Sequence, residues 1–237
     1  MDKPLLTVNI AVYNQLEYLK YIINALNRQN FEDFEVIVTD DGSSDGTKEW
    51  ATTQDFVYRW QDDEGFRIAK SKNMGIKAAN GKYFVSLEGD VVPNFGLLKA
   101  YAENVAPNRI IFGVRHDVTR LPEKLDFTML DRMVISKDWR TANLEKLNTI
   151  SNPWRLCSGC NVLFPTDKLR EVGGWNEEFK HYGIDDYEVC LRMIMAGCEI
   201  MYLPEAYGYH VKHELRETVP DNIKILEDLE AKYESSN

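Results

Sequence analysis

A chain of 237 residues with 44% hydrophobic content holds enough apolar material for one globular unit or two closely fused halves. Acidic residues outnumber basic ones, 38 to 28, and the formal net charge of −10 disfavours nucleic acid and anionic membranes as general partners. A phosphate-bearing ligand would have to be held by a local cluster of cations or by a metal. No run approaches the roughly 20 apolar residues that span a bilayer. The opening MDKPLLTVNIAVYN lacks a basic start, an apolar core and a small-residue cleavage site, so the expectation is a cytoplasmic chain. Four cysteines are too few for a disulfide scaffold at this length. Cys157 and Cys160 have CxxC spacing without a second pair, which favours buried or free thiols over zinc.

Residues 1–95 alternate strand and helix. Leu5 to Val12 reads as a strand, and Leu19, Ile22, Ile23 and Leu26 follow at helical spacing. Phe34 to Thr39 is a second strand running into Asp40-Asp41-Gly42-Ser43-Ser44-Asp45-Gly46, where Ser44 or Asp45 can cap a short helix. Phe56 to Trp60 is a third strand. Ile68 to Ala79 is a helix stopped by Asn80-Gly81. Tyr83 to Leu87 is a fourth strand, delivering Glu88-Gly89-Asp90 to its end before Pro93. This order predicts an α/β fold, with a mostly parallel central sheet and helices on both faces.

The second half is less regular. Phe95 to Asn104 and Thr166 to Val172 read as helical, and Ile110 to Val114 and Asn161 to Phe164 as strands. Asp185 to Ala196 reads as a helix and Glu199 to Leu203 as a strand ending at Pro204. Residues 115–152 are long, polar and weakly periodic, as functional loops often are. The expected division is a single domain over 1–213, its halves meeting near 95, followed by a helical tail over 214–237. Ile223, Leu226, Leu229 and Tyr233 share one face of that tail and could pack on the body or on a partner.

Four clusters, with the turn at Glu88-Gly89-Asp90, carry possible chemistry. Two carboxylates at a strand end suit a hard divalent cation with phosphates, or form a plain charged turn. Asp41 could accept from a nucleobase or ribose, or belong to an ordinary Asx turn. Arg67 and Lys70, three apart, could meet a diphosphate or form a solvated helix face. Gly174, Trp175 and Asn176, with Asp185 and Asp186 at a helix start, suggest a shaped polar pocket; the macrodipole there favours ionised carboxylates, and capping is the plainer reading. His210 and His213, three apart, could both ligate a metal, although a lone histidine is more often structural.

In this order, TVNIAVYN, VIVTDDGSSDGT, FRIAKSKNMGIKAANGKYFVSLEGD, GGWNEEF, GIDDYEVCLRMIMAG and a late histidine resemble family 2 glycosyltransferases of the GT-A fold, over residues 5–213. The second half is similar to the galactosyl- and N-acetylgalactosaminyltransferase-type module of chondroitin-polymerase-like enzymes. The resemblance implies that Tyr13 and Asp41 hold uracil, with Ala11 in the same first-strand loop. It implies that Arg67 and Asn73 lie near the nucleotide and diphosphate. Glu88-Gly89-Asp90 stands where the family has its DxD motif, with Asp90 and His210 as metal ligands. Asp185-Asp186 stands where the family has Glu-Asp, with Asp186 the base. Glu88 is one methylene longer than the family's aspartate, and Asp185 one shorter than its glutamate; neither change removes an essential group.

The expected reaction is inverting transfer of a sugar from a UDP-sugar to a hydroxyl of a glycan or glycolipid acceptor, in bacterial surface-polysaccharide synthesis. Mn²⁺, or Mg²⁺, would neutralise the departing diphosphate, and mixed oxygen and imidazole ligation favours Mn²⁺. Arg67 and Lys70 would add positive charge, Trp175 a ring face for a sugar, and residues 115–152 an acceptor loop or lid. A membrane-borne acceptor would bring the chain to the inner face of the membrane. The competing readings are a non-catalytic nucleotide-sugar or glycan-binding module, and a nucleotidyltransferase. The latter is disfavoured because Val12-Tyr13-Asn14 offers no glycine-rich phosphate loop.

Overall fold

Strand β1 (Leu6–Val12) is buried along its whole length, which requires cover on both faces. Leu6, Val8, Ile10 and Val12 pack under α1 (Leu16–Leu26) and α4 (Leu97–Asn104). On the other face, α3 (Ile68–Ala78) approaches so closely that a Cβ on Gly75 would lie 2.0 Å from Asn9 Oδ1. A helix without glycine there would have to stand off from the sheet.

The computed structural model describes residues 3–138, 140–141, 150–157, 159–213 and 219–235. In chain order its remaining elements are β2 (Phe34–Asp40), α2 (Thr47–Ala51), β3 (Val57–Trp60), β4 (Tyr83–Glu88), β5 (Val91–Pro93) and β6 (Arg109–Val118). Next come α5 (Phe127–Met133), β7 (Val134–Ser136), a 3₁₀ turn (Pro153–Leu156), β8 (Asn161–Pro165) and α6 (Thr166–Glu171). The last are α7 (Asp185–Met195), β9 (Glu199–Val211) and α8 (Pro220–Glu234). One sheet has the order β3-β2-β1-β4-β8-β6-β9-β5, with β7 on β6. The pairings set β1, β2, β3, β4, β6 and β9 in one direction and β5, β7 and β8 in the other.

Alternation in the strands divides the core in two. Tyr83, Val85 and Leu87 of β4 join the layer under α1 and α4. Phe84 of the same strand joins Phe112, Val162 and Phe164 under α3, α6 and α7. Truncating such a side chain to alanine costs ~2–5 kcal/mol.

Two departures from the sequence-based expectation bear on the site. First, β9 does not stop at Leu203 but continues through Pro204 to Val211. Its parallel pairing with β6 shifts between Phe112 and Val114, so the stretch containing Pro204, which lacks a backbone donor, sits at an irregularity of the ladder. Second, Val91–Pro93 is a strand rather than the tail of a turn, and it pairs antiparallel with β9 so that Val91 stands opposite His210. Within 115–152, α5 and β7 are regular, while 139 and 142–149 lie outside the described residues, as do Ser158 and 214–218. Helix α8 packs on α7 and the 3₁₀ turn through Leu226 and Glu230. Among the described residues no helix is long and apolar enough to cross a membrane.

Candidate active site

Strands β1, β2 and β4 end at one edge of the sheet, and a cavity of about 820 Å³ opens there. Its walls bring together Ala11, Tyr13, Asp41, Glu88, Gly89 and Asp90 with Asp185 and Asp186. At the outer lip, the exposed Tyr13 hydroxyl donates to Asp63 at 3.0 Å. The Asx-turn and ligand readings of Asp40-Asp41 are divided between the two residues. Asp40 accepts from Ser43 N–H at 2.8 Å and from Tyr58 OH at 2.6 Å, closing the turn. Asp41 faces the cavity, held by Gln61 and by the Arg67 backbone N–H at 2.8 Å. Burial raises its pKa against those hydrogen bonds.

At the centre, the β4–β5 turn rests on the first strand. Gly89 N–H donates to Ala11 O at 3.0 Å, and a Cβ on Gly89 would stand 2.3 Å from Gln15 Oε1. Such a Cβ would also stand 3.0 Å from Val12 Cγ1 and 3.1 Å from Ala11 O, so the close approach leaves little room for a side chain. Asp90 follows it, and the pairing of β5 with β9 brings His210 alongside. His213 Nε2 lies 3.2 Å and His210 Nε2 3.8 Å from Asp90 Oδ2. One ligand atom from each of the three residues falls within 4.8 Å of the others. His210 Nδ1 lies 2.8 Å from Asp117 Oδ1, an orientation that aims Nε2 at Asp90. His210 Nε2 and Asp90 Oδ1 are both buried without a hydrogen-bond partner among the described residues. Two orphaned ligand atoms in one such trio fit a divalent cation, and the mixed oxygen and nitrogen set suits a transition metal. Glu88 lies outside this trio; burial, then the charge of Asp90, pushes its pKa up to about 8.

At the inner end, Gly183 and Ile184 take positive φ values, 106° and 62°, and turn the chain into α7. Asp185 and Asp186 begin that helix, both buried. Lys72, 1% exposed, places Nζ 2.9 Å from Asp186 Oδ1 and 3.3 Å from Asp185 Oδ2. Burial alone would lower the pKa of Lys72, but the charges of Asp185 and Asp186 outweigh it and raise it. Asp185 is pushed up to about 6 by burial and by Asp186, with Lys72 opposing. The Trp175 indole N–H also donates to Asp186 Oδ1, at 2.9 Å. A Cβ on Gly159 would stand 2.0 Å from the Asp186 carboxylate, so backbone lies directly against it.

Several expected roles need correction. Trp175 offers no ring to a sugar: it is 1% exposed, packed against Phe84 and Phe164. Gly174 and Asn176 do not line the cavity either. Gly174, at φ 71°, makes the turn, and Asn176 accepts from Glu178 N–H in a local cap. The Asn73 side chain is committed to this loop, donating to Trp175 O and Glu177 and accepting from Trp175 N–H. The Arg67 guanidinium turns to Glu64 and the Asp62 carbonyl, and Lys70 is exposed outside the cavity. Among the cations of this helix, the one that lines the cavity is Lys72. Its signal lies in the sequence: it shares the buried stripe Ala69, Lys72, Asn73, Ile76, where a charge needs a partner. His213 joins His210, while Gly159 carries no sequence signal.

The sequence model of glycosyl transferase family 2 matches residues 7–173, and that of the N-terminal domain of galactosyltransferase matches 141–214. The chain belongs to glycosyl transferase family 2. This family 2 domain is 29% identical to a chondroitin synthase of Escherichia coli over 91% of the chain and 36% of that protein. It is equally identical to a validoxylamine A glucosyltransferase of Streptomyces hygroscopicus over 89% of the chain and 56% of that protein. The chain thus spans about a third to just over half of these curated relatives. Among solved structures, residues 1–349 of S. aureus TarS in complex with UDP-GlcNAc superpose with a TM-score of 0.68 at 19% identity, covering 95% of the chain and 65% of that TarS 1–349 chain. A mannosyltransferase from Pyrobaculum calidifontis, in complex with GDP-Man and Mn²⁺, gives 0.60 at 18%, covering 98% and 70%. These likenesses establish the GT-A fold of the family 2 domain.

Proposed function

We propose that the chain transfers a sugar from a UDP-sugar to a hydroxyl of a glycan or glycolipid, with inversion at the anomeric carbon. The observation that carries this reading is one cavity lined by Asp41, Asp90, His213 and the Lys72-held Asp186, with His210 grouped with Asp90 and His213. Tyr13 and Asp41 receive the uracil at the outer lip. Asp90, His210 and His213 would hold Mn²⁺, which would supply neutralising charge for the departing diphosphate.

Asp186 supports the role of base by its geometry. Both of its described polar contacts, from Lys72 and Trp175, land on Oδ1. Oδ2 is left to take the proton as the acceptor oxygen attacks the anomeric carbon and the bond to the diphosphate breaks. Trp175 and Lys72 orient the carboxylate rather than touch the sugar, and Lys72 balances one of the two adjacent negative charges. The name of the chondroitin synthase relative supports a setting in polysaccharide synthesis; a surface polysaccharide made at the inner face of a membrane is part of the same proposal.

The test is transfer or slow hydrolysis with a panel of UDP-sugars and Mn²⁺. Asp186→Asn should retain UDP binding and lose about 10²–10⁴-fold in rate. Unchanged turnover in that variant removes Asp186 from the role. Wild-type protein that binds UDP yet neither transfers nor hydrolyses any donor is a binding module instead.

A further inference from the structure

A second cavity, of about 270 Å³, adjoins the first and shares Arg115 and Tyr187 with it. Tyr187 follows Asp186 directly, so the two cavities meet at the carboxylate end rather than at the Tyr13 lip. In a chain of net charge −10, this second cavity is lined, among the described residues, by four cations and two acids. The acids are already committed. Asp138 takes the Arg140 guanidinium on both oxygens, at 2.9 and 2.5 Å, and Asp117 faces His210. Of the cations, Arg140 is matched by Asp138 and Arg155 by Glu230. Arg115 and Lys137 remain, with no side-chain hydrogen bond or ion pair among the described residues. Arg115 is half-buried, and its strand is pinned by the bond from its own N–H to Asp138 Oδ2 at 3.3 Å. Burial alone would lower the pKa of Arg115, but Cys160, Glu88 and Asp117 nearby raise it; none of them makes an ion pair with it among the described residues, so its donors stay open to an incoming anion.

We propose that this cavity is an acceptor subsite for an anionic glycan, in which a carboxylate or phosphate on the acceptor docks on Arg115 and Lys137 beside Asp186. The planar fork of a guanidinium matches either group with paired hydrogen bonds, and a lysine beside it adds charge without demanding geometry. The subsite would select the acceptor by its charge. It would also place the attacking hydroxyl near Asp186. The inference rests on the glycosyl-transfer reading, which supplies the need for an acceptor there.

The test is titration of the ¹⁵N-labelled chain with glucuronate, glucose 6-phosphate, glucose and inorganic phosphate, following the Arg115 side-chain N–H. At least one charged sugar should bind about tenfold more tightly than glucose, the worth of one charge-assisted hydrogen bond. Lys137→Glu, at an exposed position, should weaken that binding by about as much. Response to glucuronate identifies a carboxylate subsite, and response to glucose 6-phosphate a phosphate subsite. The proposal is overturned if glucose binds as well as the charged sugars, if inorganic phosphate alone matches them, if Lys137→Glu changes nothing, or if Arg115 never responds. A parallel titration with UDP, read at Tyr13 and Asp41, keeps the two readings apart. Silence there with Arg115 still responding sinks the donor reading and leaves an anion site.

Discussion

The two ends of the large cavity are built in opposite ways. At the lip, Tyr13 is 43% exposed, its hydroxyl bond to Asp63 bathed in solvent, and Asp41 is steadied by neutral or backbone donors. At the inner end, a buried ammonium and two buried carboxylates depend on one another, and the indole of a buried tryptophan completes the set. Tyr13 can wait for a ligand to supply partners, because water serves meanwhile, whereas Asp41, 4% exposed, is kept by its own neutral donors. The inner end must be assembled before any ligand arrives, since an uncompensated charge there threatens the fold itself.

Lys72→Met is the severest way to break this contrast. It leaves two carboxylates buried without their cation and should cost about 3–5 kcal/mol, read by urea unfolding; a loss under 1 kcal/mol would mean that the pair is not truly buried. The pH response sharpens the contrast next. Because the folded pKa of Asp185, about 6, exceeds its ordinary value of 3.8, protonation of this group stabilises the fold as pH falls from about 6 to 4. Turnover should therefore fall below about pH 6 as Asp185, beside the base, takes a proton, before thermal stability does. Parallel pH–rate and melting profiles check this, and coincident loss of both would contradict it. Trp175→Phe keeps the ring among Phe84 and Phe164 but removes the donor to Asp186. About 1–3 kcal/mol of stability should go, with turnover lowered and UDP affinity kept. Tyr13→Phe, at the lip, should change stability by less than about 0.5 kcal/mol, and its effect should appear in nucleotide affinity.

The same contrast governs what the sequence reveals. Tyr13, Asp41 and Glu88-Gly89-Asp90 sit at the ends of short apolar strands, so local pattern alone brings them to one sheet edge. Asp185 and Asp186 are visible because a glycine-rich turn precedes a helix. Their partner is not, because Lys72 looks like one of three cations on a polar helix until the buried stripe is followed. Trp175 misleads for a related reason: a tryptophan among glycines suggests a platform, and nothing local shows Phe84 and Phe164 beneath it. The alternating first half follows from spacing. The long reach of β9 does not, since Pro204 signals a stop and only the shifted pairing with β6 lets the strand resume and carry His210 to Asp90.

Asn222, in the first turn of α8, is 1% exposed and sets its amide nitrogen 2.9–3.3 Å from the carbonyl oxygens of His181, Tyr182 and Gly183. Those carbonyls belong to the turn that presents Asp185 and Asp186. The brace is made some forty residues after the turn it secures. During synthesis the carboxylates thus leave the ribosome well before the residue that fixes their approach. A nascent chain can already possess its lip, its ligand trio and its sheet while the turn before α7 still lacks its anchor. The order of translation secures the reactive corner later than the sheet and the ligand trio that surround it.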